Sequence, residues 1–79
     1  MKIRKNIAVS DSGFLFNPSS GDSYSVNPIG QRIMKLLQAE KSEDEIISSI
    51  VEEYMIDETT IEKDLYDFKN MLTNYKLTD

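Results

Sequence analysis

At Asn27-Pro28 the chain changes its hydrophobic period, and that boundary decides which folds are open to it. Before it, apolar residues fall on alternate positions. Ile7 and Val9 share one parity, Phe14 and Phe16 flank Leu15, and Tyr24 and Val26 alternate with Ser23 and Ser25. A period of two is that of a strand with one buried face. After it, Ile29, Ile33, Leu36 and Leu37 recur at i, i+4, i+7 and i+8, the spacing of one helix face. The chain is therefore expected to be strands first and helices second.

The punctuation agrees. Asp11-Ser12-Gly13 and Pro18-Ser19-Ser20-Gly21-Asp22 are turn signals that cut residues 1–27 into three strands, at 5–9, 14–17 and 22–26. In the resulting antiparallel meander, Phe14, Phe16, Tyr24 and Val26 are expected to face the core and the serines to face water. Asn27 caps the first helix, and Pro28 fits its first position because the missing N–H costs nothing there. Gly30 weakens this helix and leaves room for another element to approach closely. Ser42 and Glu45 form a capping box for a second helix that carries Ile46, Ile47, Ile50, Val51 and Tyr54. Asp57 opens a third helix, with Ile56 and Ile61 as a hydrophobic staple and Asn74 as its left-handed end. Ile61, Leu65, Phe68 and Leu72 line its apolar side, flanked by Asp64, Met71 and Tyr75. The fold class is α+β: a small winged helix-turn-helix, three antiparallel strands followed by three helices, in a single domain spanning 1–79.

Such a fold invites a DNA-binding reading, and the charge argues against it. Between Glu43 and Asp67 there are ten acidic residues and one basic residue, Lys63. Affinity for duplex DNA comes largely from Lys and Arg neutralising phosphates, so a third helix bearing Asp57, Glu58, Glu62, Asp64 and Asp67 is repelled. The net charge of −5 likewise disfavours nucleic acid and anionic membranes. The acidic stretch is read either as solvated helix faces or as a surface for basic partners.

The chain has no His and no Cys. Disulfides, thiolate metal sites, the commonest zinc ligand and Ser-His or Cys-His catalysis are all unavailable to it. With 79 residues, one core takes most of the apolar side chains and leaves little for a deep active site. The chain is expected to be no enzyme, with no catalytic residues, no metal and no cofactor. No apolar run approaches the roughly 20 residues that span a bilayer. The basic residues Lys2, Arg4 and Lys5 precede no apolar segment of a signal peptide, so the expected compartment is the cytoplasm.

The third strand stands at an edge of the meander. Its outward serines are small and uncharged, and it contains no proline to block pairing. Either helix three covers this edge, or the edge is open to an extended peptide that adds as a further strand. Among the tyrosines, Tyr66 lies off the apolar stripe and is the better candidate for a surface contact.

The residues from Val26 to Leu77 resemble the PqqD family, small proteins of pyrroloquinoline quinone biosynthesis and their relatives. The resemblance rests on Val26-Asn27-Pro28, Ile33-Met34-Lys35-Leu36-Leu37, Ser42-Glu43-Asp44-Glu45-Ile46-Ile47, Tyr54 to Asp57, Asp64-Leu65-Tyr66-Asp67-Phe68 and Leu72, in register across all elements. It implies a non-catalytic recognition element for ribosomally made, post-translationally modified peptides. In such a domain the leader segment of a precursor peptide adds to the third strand and lies against helix three. The core segment is then presented to a modifying enzyme, often a radical S-adenosylmethionine protein. Carried onto this chain, the expected peptide-binding residues are Ser23, Tyr24, Ser25 and Val26 on the strand and Asp64, Phe68 and Met71 on the helix. Met71 suits an adaptable apolar pocket, and Asp64 is placed to fix a basic or amide group of the leader. Oligomerisation is expected not to exceed a weak homodimer. Two other readings remain open: a winged-helix nucleic-acid-binding or transcriptional regulatory protein, and a structural dimerisation module that uses the same strand edge for self-pairing.

Overall fold

Two left-handed glycines fold the first third of the chain onto itself. In the computed structural model, which describes residues 2–79, Gly13 (φ +93°) and Gly21 (φ +78°) sit in the turns on either side of the strand Phe14–Asn17. A Cβ on Gly13 would lie 2.9 Å from the Val26 carbonyl oxygen, so both the dihedral and the space require glycine there. The strands are β1 (Ala8–Val9), β2 (Phe14–Asn17) and β3 (Asp22–Ser25), antiparallel in the order β1-β2-β3. Helices α1 (Pro28–Gln38), α2 (Glu43–Tyr54) and α3 (Glu58–Asn74) follow, completing the expected α+β arrangement.

Strand β2 is turned over relative to the expected facing. Val9, Leu15 and Tyr24 are in register on one face, and Leu15 is completely buried. Phe14 and Phe16 are in register with Ser25 and Ser23 on the other face and are 46% and 41% exposed. Tyr24 and Val26 do pack partly against the core, as expected, and the serines are exposed. Strand β1 is shorter than the expected 5–9, because the segment before it turns away. There, Ile3 bridges Thr78, the Arg4 N–H donates to the Leu77 carbonyl and the Asp79 N–H donates to the Lys2 carbonyl.

The core gathers Ile3, Ile7 and Leu15 under Ile33, Met34, Leu36 and Leu37 of α1, Ile46 and Ile50 of α2, and Ile61, Leu65 and Leu72 of α3, closed by Leu77. The Asn27 side chain accepts from the Gly30 N–H at 2.7 Å, and Pro28 occupies the first turn. Helices α1 and α3 both end in a Schellman motif. Glu40 (φ +59°) and Lys76 (φ +58°) take the left-handed position, with the Lys41 N–H bonded to the Leu36 carbonyl and the Leu77 N–H to the Leu72 carbonyl. The left-handed residue after α3 is thus Lys76, not Asn74. Asp57 is the N-cap residue of α3, but its side chain makes no capping hydrogen bond.

The capping box of α2 is complete: Ser42 Oγ accepts from the Glu45 N–H, and a Glu45 carboxylate oxygen accepts from the Ser42 N–H. That donation from the Ser42 backbone holds the Glu45 carboxyl below its ordinary value, with the Ser42 side chain adding to the effect. The Arg32 guanidinium, which joins α1 to α2 through two bonds of 3.0 and 2.8 Å, lowers Glu53 in the same way. A carboxyl depressed in the fold stabilises the fold above its unfolded value and loses that contribution as pH falls toward its folded value. The melting temperature is therefore expected to stay level from neutral pH down to about 5 and then decline in acid. Glu45→Gln keeps a cap and should flatten part of that decline. A thermal melt series followed by circular dichroism checks both expectations, and a decline that already begins near neutral pH would refute the assignment.

Candidate peptide-binding site

Hydrogen bonding along β2 and β3 determines which backbone groups of the edge strand are free. The Val26 N–H donates to the Gly13 carbonyl at 2.8 Å. Along an antiparallel pair, such bonded positions alternate with unbonded ones. Tyr24, opposite Leu15, therefore points its N–H and C=O toward β2, while those of Ser23 and Ser25 point away from the sheet. On the opposite side of β2, the Ser10 N–H reaches the Phe14 carbonyl, as this alternation demands. Among the described residues no strand pairs with the outer edge of β3, and Ser23 and Ser25 are exposed on it.

Beside the end of this strand lies a cavity of about 290 Å³, between the first half of α1 and the middle of α3. Asn27, Ile29, Gly30 and Ile33 form one wall, and Asp64, Asp67, Phe68 and Met71 form the other. Its depth depends on Gly30. A Cβ there would stand 3.2 Å from a Phe68 ring carbon and 3.3 Å from the Val26 Cβ, so the missing side chain is what lets strand, helix and ring converge. At the far end of α3, Tyr75 stacks on Tyr24 with ring centroids 4.2 Å apart and planes 11° from parallel. That contact fastens β3 to α3. Partial burial raises the Tyr24 phenol above its ordinary value, and the charge of neighbouring Asp22 adds to the rise.

The structure brings Asp64, Phe68 and Met71 together on one wall and places Val26 against their cavity through Gly30. Ser23 and Ser25 lie outside the cavity, on the open edge. Tyr24 faces inward on Tyr75 and offers no free backbone group. The cavity thus adjoins the end of β3 instead of running between β3 and α3 along their length. Sequence reasoning missed Asn27, Ile29, Ile33 and Asp67. Ile29 and Ile33 read as part of the core stripe of α1, though the cap Asn27-Pro28 marks where that stripe meets the strand.

The rim is acidic. Asp64 forms no ion pair among the described residues, and Asp67 reaches Lys63 only at 3.9 Å. Lys69, on the same helix, is bound instead to Glu43 of α2. An apolar floor under two carboxylates can hold a bulky side chain and attract a cation beside it. Tyr66 is 67% exposed and does not line the cavity. No group of three or more Asp, Glu, His or Cys residues able to hold a metal occurs among the described residues. No helix there is long and apolar enough to cross a membrane.

A comparison with curated proteins returns no match. Two solved structures share the fold. "TbiB1 in complex with the TbiA(beta) leader peptide" is 34% identical, with a TM-score of 0.85 over 100% of this chain and 95% of that one. "Lasso peptide synthetase B1 complexed with the leader peptide" is 23% identical, with a TM-score of 0.79 over 94% of this chain and 91% of that one. The family model for coenzyme PQQ synthesis protein D matches residues 13–77, which takes in β2, β3 and all three helices, and the chain belongs to the PqqD family.

Proposed function

We propose that this chain is a non-catalytic adaptor that binds the leader segment of a ribosomally made precursor peptide. The leader pairs as a strand with the outward backbone groups of Ser23 and Ser25. One of its bulky side chains enters the cavity floored by Phe68 and Met71, and a basic or amide group meets Asp64. The observation that carries this reading is the open β3 edge ending beside that cavity, in a chain of the PqqD family. A structure 34% identical to it was solved with a leader peptide bound, which supports the same reading. Backbone pairing supplies affinity with little selectivity, and the cavity supplies selectivity. The single domain works in the cytoplasm as a monomer or weak homodimer. It delivers the precursor to a modifying enzyme, for which a radical S-adenosylmethionine protein is the first candidate.

The test is an amide chemical-shift titration with the leader segment of its precursor peptide. The largest changes are expected at 22–26 and along α3 from Asp64 to Met71. Changes confined to α2 would sink strand addition. A regulator of transcription would instead bind duplex DNA. Fluorescence anisotropy with random duplexes at low salt is expected to detect no association in the roughly micromolar range of non-specific binding.

A further inference from the structure

The cations of this protein sort by place. Of its nine Lys and Arg residues, Arg32, Lys35, Lys41, Lys63 and Lys69 are each in an ion pair. Lys2, Arg4, Lys5 and Lys76 have no such partner among the described residues, although the chain carries fourteen carboxylates. Three of these four line one cavity, of about 340 Å³, between the first residues of the chain and the C-terminal end of α1. Lys76 precedes Leu77, whose carbonyl binds the Arg4 N–H.

The basic segment is held in place. Besides the bridge from Ile3 to Thr78, the Arg4 guanidinium Nε donates to the Thr78 carbonyl at 3.3 Å, and Ile3 is buried in the core. Lys2, Arg4 and Lys5 therefore project from a fixed backbone. Glu40 is the one carboxylate on the cavity wall, so three cations face one anion there. Asp79, whose N–H reaches the Lys2 carbonyl, makes no ion pair with them.

We propose that this terminal seam is a second docking site, which takes an acidic, extended segment of a protein partner. Lys2 and Arg4 stand two residue steps apart along the bridged backbone, about 7 Å, and Lys5 follows in the turn closed by the Ile7 N–H on the Arg4 carbonyl. That spacing matches carboxylates distributed along a peptide better than one compact anion. Four cations on a molecule of net charge −5 are too few to hold a nucleic acid or an anionic bilayer against the repulsion of the remainder. The site is also separate from the leader cavity. Ile33 and Leu37, the nearest residues of the two cavities on α1, are four residues apart, about 6 Å at the helical rise, and the two linings share no residue. Leader and acidic partner can therefore be held together, one at each end of a single helix.

The experiment uses the full chain and a capped synthetic peptide of alternating Glu and Leu. Amide shifts should move at Ile3–Lys5, Leu37–Glu40 and Leu77–Asp79, and the affinity should weaken as salt rises. Lys2→Gln with Lys5→Gln, which leaves the Arg4–Thr78 bond intact, should weaken binding about fivefold. Lys2→Arg with Lys5→Arg should preserve it, and Glu40→Gln should strengthen it. The inference fails if the shifts are absent or fall on α3, or if the glutamine variant binds like wild type. It fails equally if inorganic phosphate, phosphatidylglycerol vesicles or duplex DNA bind the seam as tightly as the peptide does. None of these outcomes depends on leader binding at β3.

Discussion

Leu15→Ala is expected to remove most of the protein's net stability, whereas Phe14→Ser and Phe16→Ser each remove much less. Leu15 is the fully buried residue at the centre of the sheet, in register with Val9 on one side and Tyr24 on the other. Truncating a buried leucine removes its transfer free energy and leaves a cavity, together about 2–5 kcal/mol. A domain of this size holds a net stability of only about 3–5 kcal/mol, so the loss is comparable to the whole. The two phenylalanines keep more than two-fifths of their surface in water and meet only small residues across the sheet, Ser25 opposite Phe14 and Ser23 and Ala8 opposite Phe16. Their replacement is expected to cost less than about 1 kcal/mol each. Urea unfolding followed by circular dichroism makes the comparison. If the phenylalanine variants lose more stability than Leu15→Ala, the sheet faces the other way.

The wrong facing has a clear physical origin. Phe14-Leu15-Phe16 is apolar at both parities, and a shift of one position exchanges every side chain between faces. Pattern alone cannot break that tie, and the larger rings appear the better core residues. What breaks it is tertiary: β2 pairs so that Leu15 meets Tyr24, whose ring is already committed to Tyr75 fifty-one residues later. The helices were legible because their signals are local. Asn27-Pro28 and the Ser42–Glu45 box each satisfy backbone donors within one turn of themselves. The helix ends were not legible, since Glu40, Met55 and Lys76 take left-handed dihedrals without the glycine that advertises one. At the candidate site, Asp64, Phe68 and Met71 could be read because they flank the core stripe of α3. The opposite wall was hidden inside the stripe of α1. A helix whose apolar arc covers both a core and a groove shows one continuous pattern, and Ile29 and Ile33 carry no mark of which they serve.

Met71→Asp is expected to reduce leader affinity at least tenfold, and Ser25→Pro to reduce it by up to about the same factor, with the fold intact in both. Met71 lines the apolar floor and is only partly buried, so a carboxylate can stay solvated in the free protein. Once a leader side chain closes the cavity, that charge must be desolvated beside Asp64 and Asp67, at a cost of at least about 1.4 kcal/mol. Ser25→Pro acts on the backbone. Its N–H points away from β2, so proline removes a donor that only an added strand would use and leaves the β2–β3 ladder untouched. Losing one such bond costs about 0.5–1.5 kcal/mol. Ser23→Pro probes the same register one step along, while Tyr66→Ser, on the exposed side of α3, should bind like wild type. Calorimetric titration with the leader measures the affinities, and circular dichroism verifies each fold. The two classes of variant separate the two parts of the site. If Met71→Asp weakens binding while both prolines leave it unchanged, the leader occupies the cavity without pairing to β3, and strand addition is wrong for this protein. If only the prolines matter, the edge carries the affinity and the cavity between α1 and α3 is not where the leader is read.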